Sequence, residues 1–99
     1  MTLTGKQIRQ LRSMANTLKA TLIVGKSGVT PATASQVLGD LEAHELVKGS
    51  VLDGCPASVQ EVAYELADMV DANVVQVIGR KFVLYRESSR EDIDKIQLV

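Results

Sequence analysis

Between Ala20 and Pro31 the chain reads ATLIVGKSGVTP, and this run constrains the fold more than any other. Thr21 to Val24 are short, apolar and rich in β-branched side chains, so they predict a buried strand that ends at Gly25. Thr30 followed by Pro31 is a strong helix start. The hydroxyl suits the N-cap, and the proline ring, with fixed φ and no N–H, suits the first helical position. Only a short loop is left between strand and helix. A strand that feeds a helix through a tight turn is the unit of α/β folds.

The flanking sequence repeats that alternation. "TGKQ" at 4–7 is a capping box, with Thr4 as N-cap, and Ile8, Leu11, Ala15 and Leu18 recur at helical spacing as a buried stripe. In the helix that begins at Pro31, the apolar face is Ala34, Val37, Leu38 and Leu41. "LVKGSVL" (46–52) reads as a second strand with Val47, Gly49 and Val51 on one side. "DGCP" is a turn, and Pro56 opens a third helix whose buried face is Val59, Val62, Ala63, Leu66 and Val70. "NVVQVI" and "KFVLYR" are two strands joined by Gly79-Arg80, a type II′ hairpin turn. The predicted fold class is α/β, a two-layer sandwich in the order α-β-α-β-α-β-β with a mixed four-stranded sheet. The first three strands are parallel because helices connect them, and the hairpin adds one antiparallel strand. One domain spans residues 1–87. Residues 88–99 form a polar C-terminal tail, expected to be loosely held.

Composition narrows the function classes. No apolar run approaches the roughly 20 residues that span a bilayer, so no membrane partner is expected and a cytoplasmic location is the default. One Cys and one His exclude an internal disulfide and a Cys/His zinc site. No catalytic set surrounds His44 or Cys55, and the chain reads as a non-enzyme. His44 suits a helix C-terminus and Cys55 a turn. The net charge of −1 hides a strong segregation. Residues 1–30 carry Lys6, Arg9, Arg12, Lys19 and Lys26 and no acid. Residues 31–79 carry eight acids against Lys48 alone, and 80–86 add Arg80, Lys81 and Arg86. A local basic face attracts phosphate whatever the far side carries.

Ala20 to Ser27 also fit the loose nucleotide-binding P-loop pattern, a small residue, four arbitrary ones, then Gly-Lys-Ser. That motif needs its four variable residues as a phosphate cradle, and here they are strand. No nucleotide cofactor is expected. GKSG suits a backbone clamp better: two glycines let the main chain approach a ligand, Lys26 supplies charge, and the N-terminus of the following helix favours an anion. A GXXG loop grips nucleic-acid backbone in KH domains by the same logic. On the motif alone, a tight strand-to-helix turn with a solvated lysine is the favoured reading.

The set "LTGKQIRQLRSMA", "VGKSGVT", "LEAHELVK" and "VQVIGRKFVLYR", in this order and spacing over roughly residues 2–87, resembles the CRM-domain family, in particular its stand-alone bacterial YhbY-type members. The resemblance implies an RNA-binding domain with a fold similar to the C-terminal domain of bacterial translation initiation factor 3. It makes Gly25, Lys26, Ser27 and Gly28 the hallmark loop. It also implies ribosomal RNA in precursor large ribosomal subunits as the partner. Members of the family are often clearly basic, which this chain is not, and Gly49 and Ser50 stand where a β-branched and a second basic residue are expected.

The candidate RNA-binding residues are therefore Lys6, Arg9, Arg12, Gly25, Lys26, Ser27, Gly28, Lys48, Arg80 and Lys81. Lys6, Arg9 and Arg12 step by three along one helix face, with no acid nearby in sequence to pair with them. Arg80 sits at the hairpin tip, while Lys81 and Arg86 have acids of the third helix as alternative partners. Phe82 and Tyr85 fall on opposite sides of the last strand, which leaves one available for base stacking, although so apolar a strand favours packing. The rival reading is a protein-interaction or regulatory module that works through the acidic third helix, Glu61, Glu65 and Asp68.

Overall fold

In the computed structural model of the chain, which describes residues 2–99, each of the three helices opens with a reciprocal capping box. The N-cap hydroxyl accepts the N–H three residues on, whose side chain accepts the N-cap N–H in return. Thr4 and Gln7 start α1 (Gly5–Ala15), Thr30 and Thr33 start α2 (Pro31–His44), and Ser58 and Glu61 start α3 (Val59–Val70). The third differs from the sequence expectation, which opened that helix at Pro56. Ser58-x-x-Glu61 satisfies two N–H groups that a proline start leaves open, and Pro56 stays in the preceding loop. Glu61 thus caps the helix as well as facing solvent. The Ser58 N–H and hydroxyl hold its carboxyl below the usual carboxylate range.

The strands are β1 (Leu22–Val24), β2 (Leu46–Val51), β3 (Asn73–Ile78) and β4 (Lys81–Tyr85), in spatial order β1-β2-β4-β3. β1 pairs parallel to β2, and β4 pairs antiparallel to both β2 and β3. The first three strands therefore point one way, and β4 is the single antiparallel strand, as predicted. Gly79 has φ +58° at the first position of the two-residue hairpin, as a type II′ turn requires.

Strand alternation divides the core. Phe82, Leu84, Val47, Val51, Leu22 and Val24 pack with α2 and α3 on one face. Val83, Tyr85, Leu46 and Val75 pack with Leu11 and Ala15 of α1 on the other. Helices thus cover both faces, where a two-layer arrangement leaves one open. Both aromatics of β4 are buried, so neither stacks on a base. Gly49 is explained here. It lies opposite Phe82 on β4, and any Cβ at 49 would run into the Phe82 ring. Three apolar side chains are more exposed than their patterns predict. α1 stops at Ala15, so Leu18 lies beyond its buried stripe, and Leu38 sits on the outer side of α2. Ile23 points to the face opposite its neighbours and is 63% exposed.

The tail is held, contrary to expectation. Glu45 ends α2 in the left-handed region, φ +65°, and its buried carboxylate accepts the Ser88 N–H at 2.6 Å and the Ile96 N–H at 2.7 Å. Gln10 donates to the Gln97 carbonyl and accepts the Val99 N–H, while Ile96 and Leu98 pack on the α1 side of the core. Arg86 pairs with Glu42 of α2 at 2.8 Å, and not with α3. That guanidinium, together with Ser88 and Ser89, pulls the Glu42 carboxyl from 4.5 to about 2.

Gly49→Val should lower stability by about 1–3 kcal/mol or more, the range for an overpacked core, read as a reduced urea midpoint. Adding Phe82→Leu should restore part of the loss, because the two positions share one space. A second expectation concerns pH. A carboxyl whose folded pKa lies below its unfolded value stabilises the fold above the unfolded pKa and loses that contribution as pH falls through the folded one. Amide exchange at Ser89, whose N–H donates to Glu42, should therefore accelerate as pH drops from 4.5 towards 2, beyond the intrinsic rate change. In Glu42→Gln the acceleration should vanish.

Candidate nucleic-acid interface

The loop after β1 closes on itself. The Gly28 N–H donates to the Gly25 carbonyl at 2.9 Å, which leaves Lys26 and Ser27 at an exposed tip. Gly28 has φ +63°, and a Cβ there would stand 3.4 Å from Pro56 Cγ. It is buried, so it shapes the turn from behind and does not itself face a ligand. Gly25 has no such conformation; a Cβ there would make ordinary contact with Leu52 at 3.5 Å. The following helix offers fewer free donors than its sequence implies. Its capping box occupies the Thr30 and Thr33 N–H groups, and Pro31 has none. What remains is the Ala32 N–H and the positive end of the helix dipole.

The loop is one of three that meet at one end of the sheet. Its Lys26 stem lies along Gly54. The 52–56 segment is tied in turn to the hairpin tip, where Arg80 pairs with Asp53 and the Arg80 carbonyl accepts the Val51 N–H. Arg80 is thus an ion-paired residue. Lys81, the first residue of β4, is exposed and makes no ion pair among the described residues, so the alternative of pairing with α3 falls away.

The basic residues of α1 approach from another side. A three-residue step turns the helix by about 60° short of a full circle, so Lys6, Arg9 and Arg12 descend from the outer surface towards the sheet. Lys6 and Arg9 are exposed and without an ion pair among the described residues. Arg12 reaches the β3 edge, and its Nε donates to the Val75 carbonyl at 3.4 Å. Lys48 is half-buried, and its ammonium donates to the Ala15 carbonyl at 3.3 Å, where it complements the negative end of the α1 dipole. Of the ten predicted residues, then, Lys6, Arg9, Lys26, Ser27 and Lys81 present side-chain polar groups with no partner among the described residues. Arg12, Lys48 and Arg80 have structural partners, Gly28 shapes the loop, and Gly25 lines it.

Charge divides with the faces. Glu61, Glu65 and Asp68 are exposed on α3, on the opposite side of the sheet from α1. Two features were not read from the sequence. One is the buried Glu45 clamp, for which a single Glu at a helix end gives no pattern. The other is the row of side chains next to Lys81, where Ile23 looks like core because its strand is a run of apolar residues.

Comparison with known proteins fits this architecture. A Probable RNA-binding protein YqeI of Bacillus subtilis is 45% identical over 86 residues, covering 87% of this chain and 90% of that protein. An RNA-binding protein of Haemophilus influenzae is 32% identical over 97 residues, covering 98% and 95%. The solution structure of a Staphylococcus aureus protein, SAV1595, proposed to bind RNA, superimposes with a TM-score of 0.73 at 36% identity and covers 96% of this chain and all of that one. The CRS1 / YhbY (CRM) domain matches residues 3–86. With its capped helices, its β1-β2-β4-β3 sheet and its GKSG turn, this chain belongs to the CRS1/YhbY (CRM) domain family.

Proposed function

We propose that this protein is a non-catalytic RNA-binding protein that grips structured RNA, ribosomal RNA in precursor large subunits, and aids assembly of that subunit. The observation that carries the reading is a group of cations that make no ion pair among the described residues, Lys6, Arg9, Lys26 and Lys81, on the α1 side and the loop end of the sheet, while the acids of α3 face the other way. Unpaired clustered bases are the electrostatic footprint of phosphate binding. The names of the relatives, both RNA-binding proteins, support RNA as the partner. The GKSG turn contributes a charged tip, and the α3 face orients the complex by repelling phosphate.

Sedimentation of a cell lysate tests the assembly role: the protein should comigrate with precursor large subunits and be depleted from mature ribosomes. Uniform distribution across free protein fractions would reject it. The interaction-module reading predicts binding through α3, where Tyr64 is exposed beside Glu61 and Glu65, and little dependence of RNA affinity on salt.

Two substitution sets follow. Lys6→Glu with Arg9→Glu should weaken RNA binding at least tenfold with an unchanged melting temperature, because neither side chain supports the core. Lys26→Ala should reduce the log–log salt slope by about 0.7–0.9, one phosphate contact. At position 28 the two candidate roles separate. Asn tolerates the left-handed conformation, so Gly28→Asn should stay folded and bind within a few-fold of wild type. Gly28→Val, strained at φ +63° against Pro56, should distort the turn that presents Lys26 and Ser27 and lose about tenfold or more in affinity. Wild-type affinity in a folded Gly28→Val protein would remove the shaped turn from the binding site.

A further inference from the structure

α1 lies across β2, β4 and β3, and the tail packs beside it over Leu46 and Tyr85. Neither reaches the far end of that face. There a single row in register crosses all four strands: Ile23 pairs with Ser50, Ser50 with Lys81, and Lys81 with Ile78. Ile23 is 63% exposed and Ile78 61%. Three interstrand gaps make the row about 14 Å long. It is an open floor with an aliphatic side chain at each end and, between them, a hydroxyl and an ammonium that makes no ion pair among the described residues.

We infer that this uncovered row seats the shallow minor groove of an A-form RNA duplex, an inference that rests on the RNA-binding reading above. Three observations select that occupant. The row adjoins the GKSG turn, with Lys26, and the hairpin at one end of the sheet, while Arg12 and Lys48 lie on its α1 side; Asp53, the acid of the adjoining loop, is paired with Arg80 at the surface. The partner is therefore anionic. The row has no aromatic ring, since Phe82 and Tyr85 are both buried, so it lacks the stacking platform on which single-stranded bases are held. Its chemistry matches ribose instead. The wide minor groove of RNA displays sugars and 2′-hydroxyls, which offer C–H surface to Ile23 and Ile78 and a hydrogen-bonding partner to the Ser50 hydroxyl. Lys81 reaches a phosphate at the groove edge, and the cations on either side serve the two strands.

The test uses the full chain and three fluorescein-labelled probes: a 20-base-pair RNA hairpin, the DNA hairpin of the same sequence, and a 20-mer of uridine. Wild type should bind the RNA hairpin most tightly. Ile23→Ala with Ile78→Ala should weaken that binding by about tenfold, the scale set by the apolar area two such contacts bury, while the salt slope stays at the wild-type value. Lys81→Ala should instead reduce the slope by about one contact. Both isoleucines are exposed, so the double variant should melt like wild type; Ile78→Ala alone, beside the hairpin turn, gives a milder second variant with a smaller loss in the same direction. A folded double variant that binds the RNA hairpin as wild type does overturns the proposal while leaving the RNA reading intact. Preference for the uridine 20-mer, or equal affinity for RNA and DNA hairpins, overturns the duplex assignment. A wild-type protein that binds none of the three probes overturns the RNA reading and this proposal together.

Discussion

The last strand to be made is the one that must be buried on both sides. β4 lies between β2 and β3, and Phe82, Val83, Leu84 and Tyr85 are all inaccessible to solvent. Because successive residues point to opposite faces, four consecutive buried residues demand cover above and below the sheet. α2 and α3 supply it for Phe82 and Leu84. The other face depends on α1, the first element of the chain, and on the tail that follows β4. Residues near both termini thus close the same layer, through Leu11 and Ala15 from one end and Ile96 and Leu98 from the other. The cover ends where β4 begins, and Lys81 is exposed at that point.

The charge pattern of the chain becomes a spatial pattern through this layering. The acid-free first thirty residues place α1 on one face and the GKSG turn at one end. The acid-rich middle places α3 on the opposite face. A pI of about 5.7 then describes neither surface. Long-range attraction for phosphate is set by the local face, and the distant acids act mainly on orientation.

Much of this was legible in the sequence, and the misses share a cause. The capping box at Thr4, the Thr30-Pro31 helix start and the Gly79-Arg80 hairpin are local signals, and the structure has each where the sequence placed it. Pro56 was a local signal too, but Ser58-x-x-Glu61, which starts two residues later, satisfies more N–H groups and wins. Ile23, Leu18 and Leu38 were assigned to the interior because they are apolar. Whether an apolar residue is covered depends on where another element ends, and neither the end of α1 at Ala15 nor the reach of the tail is written near Ile23. Gly49 is the same problem inverted: it reads as a weak strand residue until Phe82, more than thirty positions later, fills its side-chain space. Lys48, Arg12 and Arg80 count as basic residues in the sequence, but their partners, Ala15, Val75 and Asp53, come from other elements, and composition alone does not show that a donor of each is engaged.

The acidic tail raises an objection that the same geometry answers. Four acids in residues 87–99 would oppose RNA if they could fold over the basic face. They are kept from it by one buried carboxylate. Glu45 accepts the N–H of Ser88 and the N–H of Ile96 on its two oxygens, so residues 88–96 leave and return to one point. Glu91, Asp92 and Asp94 lie within that closed segment, and Asp92 is further paired with Arg90. The anchor sits at the Leu46–Tyr85 end of the sheet. The Ser50–Lys81 row is four residues further along the same strands, about 13 Å at the usual rise, which exceeds the screening length of roughly 8 Å at physiological salt. A negative tail held at that end costs little at the other. The unusual cost of a buried carboxylate is offset by two backbone donors, and its effect is to give the sheet a covered end and an open one.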